Sequence, residues 1–162
     1  MGKKFELTTD TKIHFGRKLF RIKALVSFRN VQVGDLGGYV ESEKNLSQSG
    51  DAWVYGDAEV YGNAWVCGNA WVCGNAEVCG DADYVCAKGL GSRYRNTTFF
   101  KCKNGDIYVT CGCFEGNLDE FTKKVKTTHG DSKYAKEYLA MVEVVKIHFE
   151  NENGDESGEQ SD

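Results

Sequence analysis

Between Gly50 and Cys79 compact apolar and polar positions alternate in a six-residue phrase, "GDAWVYGDAEVYGNAWVCGNAWVCGNAEVC". Valine and alanine keep fixed places in it (Val54 then Ala58, Val60 then Ala64, Val66 then Ala70), and as the consistently compact apolar residues they are expected to point inward. By the alternation of a strand, the Trp, Glu, Tyr and Cys beside each valine then point outward. Gly followed by Asp or Asn supplies the corner, because those residues tolerate the left-handed backbone that a tight turn demands. In this register units begin at Gly38, Lys44, Gly50, Gly56, Gly62, Gly68, Gly74 and Gly80, about eight of them up to Val85. A period this short predicts a β-helix.

Three strands and three corners make a triangular coil of roughly 18 residues, so residues that far apart stack at the strand spacing of ~4.8 Å. The first face then carries Trp53 beside Trp71 and Tyr55 beside Cys73. The second carries Glu59 beside Glu77 and Tyr61 beside Cys79, and the third carries Trp65 and Cys67 beside Asp83. Tryptophans in a row are too apolar to be left in water, so at least one face is expected to be covered. A second subunit is the leading candidate, ahead of the chain's own terminal segments and of a stacked ligand. Trp53, Tyr55, Trp65 and Trp71 are thus the expected oligomer interface or aromatic stripe of a trimer or dimer. The stacked carboxylates repel, so one of them is expected to titrate high unless a cation or donor lies between them; a solvated acidic ladder is the plainer reading.

The flanks follow other periods. Residues 1–37 read as an N-terminal β segment with a Gly16-Arg17 turn and an Arg29-Asn30 turn. Lys12, Arg17, Lys18, Arg21, Lys23 and Arg29 crowd into it, as phosphate contacts or as the solvated face of a half-buried sheet. Residues 38–86 are the β-helix. In residues 87–149, Asn104-Gly105 between two β-rich runs predicts a hairpin. Asn117 with Glu120 resembles a capping box, Leu118, Phe121 and Val125 give the helix behind it an apolar face, and Gly130 can end it. A second helix runs from about Ser132 to Phe149, with a wide apolar stripe from Tyr134 to Phe149.

Charge adds a fourth region. The net charge of −4 conceals six acids and no base in residues 150–162, leaving 18 acids against 20 bases elsewhere. This tail has nothing apolar to bury and is expected to be disordered. The seven cysteines are an odd number, and in the repeat they stand where Tyr55 and Tyr61 stand earlier, so structural thiols in a reducing compartment are expected. Cys111 and Cys113 are too close for the usual paired zinc spacing, and no cofactor or metal set is expected. Without a long apolar run or a leader-like start, the chain reads as cytoplasmic, within a bacterial host.

"KGLGSRYRN" (Lys88 to Asn96) is the best candidate for an anionic ligand, although a linker would have the same composition. Gly89 and Gly91 let backbone amides approach a phosphate, Arg93 and Arg95 can pair with it, and Tyr94 can stack on a base; Lys101 and Lys103 follow closely.

The Gly, Asx, Ala, Val phrasing resembles the hexapeptide repeat of left-handed β-helices, and Gly34 to Ala58 looks like a lead-in shared by repeat proteins commonly encoded by phages and prophages. The resemblance implies a mainly β fold: a short left-handed parallel β-helix of under three coils between the N-terminal β segment and a C-terminal α+β unit of one hairpin and two helices. Many hexapeptide proteins are trimeric acyltransferases with a histidine as general base. Here His14, His129 and His148 all lie outside the repeat; His129 before Gly130 would be the one tempting base, and a helix terminator is the plainer role. The expectation is therefore a non-catalytic oligomeric binding protein that sequesters a small anionic, nucleotide-like molecule or a host defence protein. A structural or protein-interaction module of a phage is the alternative, with an acyltransferase third.

Overall fold

The computed structural model describes residues 2–80 and 83–150. It is mainly β, with two helices at the C-terminal end. Strands β1 (Phe5–His14) and β2 (Arg17–Ala24) form an antiparallel hairpin. His14 pairs directly with Arg17, so the turn is Phe15-Gly16, one residue earlier than expected. A two-residue loop matches the strand twist only with positive φ at both centres, and these residues have 51° and 79°. The Arg29-Asn30 turn stands where the sequence placed it, closed by Phe28 bridging Val31.

The repeat supplies β3 (Leu36–Val40), β4 (Trp53–Val54), β5 (Glu59–Val60), β6 (Trp71–Val72) and β7 (Glu77–Val78). Parallel pairing joins Trp53 to Trp71, Val54 to Val72, Glu59 to Glu77 and Val60 to Val78, as the coil length predicts. The inward residues are as expected: Val54, Ala58, Val60, Val66, Ala70, Val72, Ala76 and Val78 are completely buried. Each buried valine contributes about 1.5–3 kcal/mol, which is how two-residue strands, too short to stand alone, are held.

The six-residue register fails in the first coil. Tyr39 pairs with Glu59 and Leu46 bridges Val66, both 20 residues apart. By Asp51, whose N–H donates to Gly68 O at 3.1 Å, the shorter spacing is in force. The extra pair is the Gln48-Ser49 corner, where Gln48 Oε1 accepts from the N–H groups of Lys4 (2.7 Å) and Phe5 (3.2 Å). Lys44, expected to stand for a corner glycine, lies in a one-turn 3₁₀ helix, Glu43–Asn45, capped by Ser42. Asn45 does the holding here: its buried Nδ2 donates to Ala64 O at 2.8 Å.

The N-terminal hairpin extends the coil, for one sheet runs β1-β2-β3-β5-β7. Beyond the repeat come β8 (Tyr84–Leu90), β9 (Arg95–Lys101), β10 (Ile107–Cys111) and β11 (Phe114–Asn117), a four-stranded antiparallel sheet in place of the single hairpin expected. Asn104-Gly105 does lie in the connection between β9 and β10. Lys88 to Asn96, read as a loop, instead forms the end of β8, a turn at Gly91 to Tyr94 and the start of β9. Helix α1 (Leu118–His129) starts at the Asn117/Glu120 capping box and stops at Gly130, and α2 (Lys133–His148) starts at Ser132.

Successive residues of β9 face opposite ways. Phe99 joins Val109, Phe121, Val125, Tyr138 and Val142 under the helices, while Phe100 joins the coil core. Thr98 also turns to the coil and accepts the Trp71 N–H at 3.2 Å, and the Thr110 hydroxyl donates to Trp71 O at 2.8 Å. Two buried threonines thus satisfy backbone groups of β6 that no further coil pairs.

The aromatic stripe is corrected in the same way. Trp53 is only 2% exposed, with Phe28 and Phe5 edge-on to its indole at 5.3 and 6.5 Å. Trp71 is half-buried under the Arg29 guanidinium (4.2 Å) and against Tyr55 (5.1 Å), whose hydroxyl donates to Glu115. The chain's own segments cover Trp53 and Trp71, while Trp65 is 52% exposed. The acidic tail beyond Glu150 lies outside the described residues. Among the described residues no helix is long and apolar enough to cross a membrane.

All seven cysteines are free thiols. Burial pushes Cys73 up to about 12 and Cys102 up to about 11, and also raises Cys79 and Cys86. The folded state keeps these protons after unfolded thiols, with a pKa of about 8.5, begin to lose theirs, so stability should fall as the pH rises above about 9. Lys4, lowered by burial to about 8, opposes this, one group against four. Under reducing conditions the urea midpoint should therefore drop between about pH 8 and pH 10; a constant or rising midpoint would contradict the assignment.

Candidate functional site

Of the five residues expected to hold an anion, the fold brings two together. The Gly91 to Tyr94 turn is anchored on α2: Gly91 N–H donates to Glu137 Oε1 at 2.9 Å, and the Tyr138 hydroxyl donates to Leu90 O at 3.2 Å. A side chain at Gly91 would strike the Tyr138 ring, so the turn needs glycine for contact as well as for its φ of 81°. Opposite it, Gly112 in the β10–β11 turn leaves the space that the Arg95 guanidinium occupies. Between these turns and α1 lies a cleft of about 220 Å³, with Arg93 and Arg95 among its lining residues.

The remaining lining residues that matter come from the helices and were missed. Phe121 and Tyr138 supply an aromatic wall, their rings edge-on at 5.5 Å, and Lys124 and His129 add positive or donor groups. His129 ends α1 as the sequence suggested and also stacks on Tyr138, centroids 5.9 Å apart. Burial, with the neighbouring Cys111 thiol, raises the Tyr138 phenol, which therefore stays a donor. Tyr94, expected as the stacking ring, is 67% exposed and does not line the cleft. Lys101 pairs with Asp83 at 3.6 Å and Lys103 with Glu59 at 2.9 Å, both away from it. The lining holds no acidic side chain among the described residues. Rings and guanidinium groups side by side are the chemistry that suits an anion with a flat apolar part.

A second cluster sits on the second coil face. Glu59 is 1% exposed and stacks beside Glu77, the pair whose repulsion the sequence foresaw. Cations do lie against them. Lys12 Nζ (2.6 Å) and Lys103 Nζ (2.9 Å) reach Glu59 Oε2, while His14 Nε2 (2.8 Å) and the Tyr61 hydroxyl (2.6 Å) reach Glu77 Oε2. Burial works to raise both carboxyls, but these bonds outweigh it and hold both below their ordinary value. Neither titrates high, and the ladder is not a solvated one.

Three bases of the N-terminal hairpin are spent in a similar way. Lys12 and Arg21 lie over the Tyr39 ring at 4.2 and 4.5 Å, and Arg17 pairs with Glu41 at 2.8 Å. They bind this chain's own coil, which neither the phosphate nor the solvated reading anticipated. No family model matches the chain, and no curated protein matches it, so the chemistry of the two clusters carries the functional reading.

Proposed function

We propose that this chain is a non-catalytic binding protein that sequesters a small anionic molecule with a flat ring, of the nucleotide class, in the cleft between the Gly91 to Tyr94 turn and α1. The observation that carries this is the lining itself: Arg93, Arg95, Lys124 and His129 around the Phe121 and Tyr138 rings, with no carboxylate among them. The volume of about 220 Å³ suits a nucleobase or a compact monophosphate better than a long cofactor.

The 18-residue parallel pairing and the hexapeptide phrasing support a left-handed coil as the scaffold, and the lead-in from Gly34 supports a phage origin. A host nucleotide signal then fits as the sequestered ligand. Self-association, if it uses the coil, falls to the exposed Trp65 face. Native mass spectrometry of protein purified from bacteria, with analysis of released molecules, tests the reading: a nucleotide-class anion supports it and a cationic or neutral ligand refutes it. With adenosine monophosphate as probe, Arg93→Ala combined with Lys124→Ala should weaken binding at least about tenfold, since each charge-assisted bond contributes about 1.5–3 kcal/mol. Unchanged affinity in a folded double variant would remove the cleft from consideration.

A further inference from the structure

We propose that His14, Glu59 and Glu77 form a divalent-cation site of the zinc class where the N-terminal hairpin crosses the second coil face. Three elements converge there: β1 brings the imidazole, and β5 and β7 bring carboxylates already in register. One ligating atom from each residue lies within 4.8 Å of the other two. An acidic pair beside a histidine would not suffice alone, and the second observation is Glu59 Oε1. That atom is buried in a side chain 1% exposed and has no hydrogen-bond partner. Both ammonium groups bond to Oε2 instead, and the imidazole Nδ1 meets Oε1 only as an ion-pair contact at 3.5 Å, without a hydrogen bond.

Leaving a buried charged oxygen unbonded costs more than a typical hydrogen bond yields, so an orphan of this kind marks a missing partner. A cation between Oε1, the imidazole and the Glu77 carboxylate supplies it. One nitrogen and two carboxylates with an open position is a zinc-class set, and the imidazole argues against calcium or magnesium. The surroundings are those of a supported site. Lys12 and Lys103 hold the far oxygen of Glu59, Tyr61 holds Glu77, and His14 and Glu77, 20% and 21% exposed, leave a path from solvent. The same two ammonium groups oppose the cation's charge, which sets the site at modest affinity.

Cobalt(II), a zinc surrogate visible by absorption and paramagnetic in NMR, is the probe, added to the full chain after chelation and under reducing conditions. The first equivalent is expected to shift or broaden the His14 ring signals while His129 and His148 stay sharp, without a thiolate charge-transfer band. Glu77→Gln, which keeps the shape of the side chain, should raise the dissociation constant more than about tenfold. His14 signals that stay unmoved, or a thiolate band growing with the first equivalent, would overturn the proposal and leave His14 as a bridge between two carboxylates. The wild-type spectra decide the matter even where the variant fails to fold.

Discussion

Trp53→Ala should destabilise the protein by about 3–5 kcal/mol, lowering the thermal midpoint by roughly 10 °C or more. The indole is 2% exposed and wedged between Phe5, Phe28 and the flat Gly37 backbone, so truncation opens a cavity that two aromatic neighbours and a strand cannot collapse into. Trp65→Ala is the matched control. Its indole is half in water, and the loss in the monomer should be clearly smaller, about 1–2 kcal/mol. Calorimetry on the two variants reads the difference directly. Equal losses would mean that the first coil face is not covered by the chain's own N-terminal segment.

The second large effect is expected from a single added methyl. Gly37→Ala would place a Cβ 2.5 Å from Val54 O, 2.7 Å from Ile22 Cγ1 and 2.8 Å from the Trp53 ring. One of these is backbone and another is a wedged indole, so neither can yield cheaply. The pairing of β2 with β3 slips at this point: Arg21 opposes Tyr39 and Lys23 opposes Leu36, leaving Ile22 across from both Gly37 and Gly38. Both glycines at this irregularity sit hard against the coil, beside Val54 and Ala58. A cost of about 3 kcal/mol is expected in urea unfolding, at the upper end for overpacking; a cost below about 1 kcal/mol would show that β3 can lift off the coil freely.

What the sequence made legible was the interior of the coil. Valine and alanine recur because only compact side chains fit there, and the stacking of Trp53 on Trp71 and Glu59 on Glu77 follows from counting. The helix caps at Asn117 and Ser132 were similarly local. What covers the coil was not legible, because a lysine alternating on a strand looks the same whether it faces water, a phosphate or Glu59. The strand ends either side of the Gly91 to Tyr94 turn read as loop for a related reason, since a tight turn and a loop both need glycine and polar residues. The cleft was half visible: Arg93 and Arg95 stand in one short motif, whereas Lys124 and Tyr138 reach it only once two helices fold back on the sheet.

The threonines of β9 and β10 bear on how far the repeat can grow. A stack of parallel coils exposes unpaired amides and carbonyls at each end, an invitation to fibre formation by addition of further chains. Here one end is met by the antiparallel hairpin strand β2. At the other, Thr98 and Thr110 occupy the Trp71 amide and carbonyl, Cys102 bridges Ala76, and Lys103 N–H donates to Asn75 O. The number of coils is thus set by stoppers outside the repeat. Lengthening the motif by one unit of sequence would not extend the stack until those stoppers moved, and removing them would be the route to an end-to-end polymer.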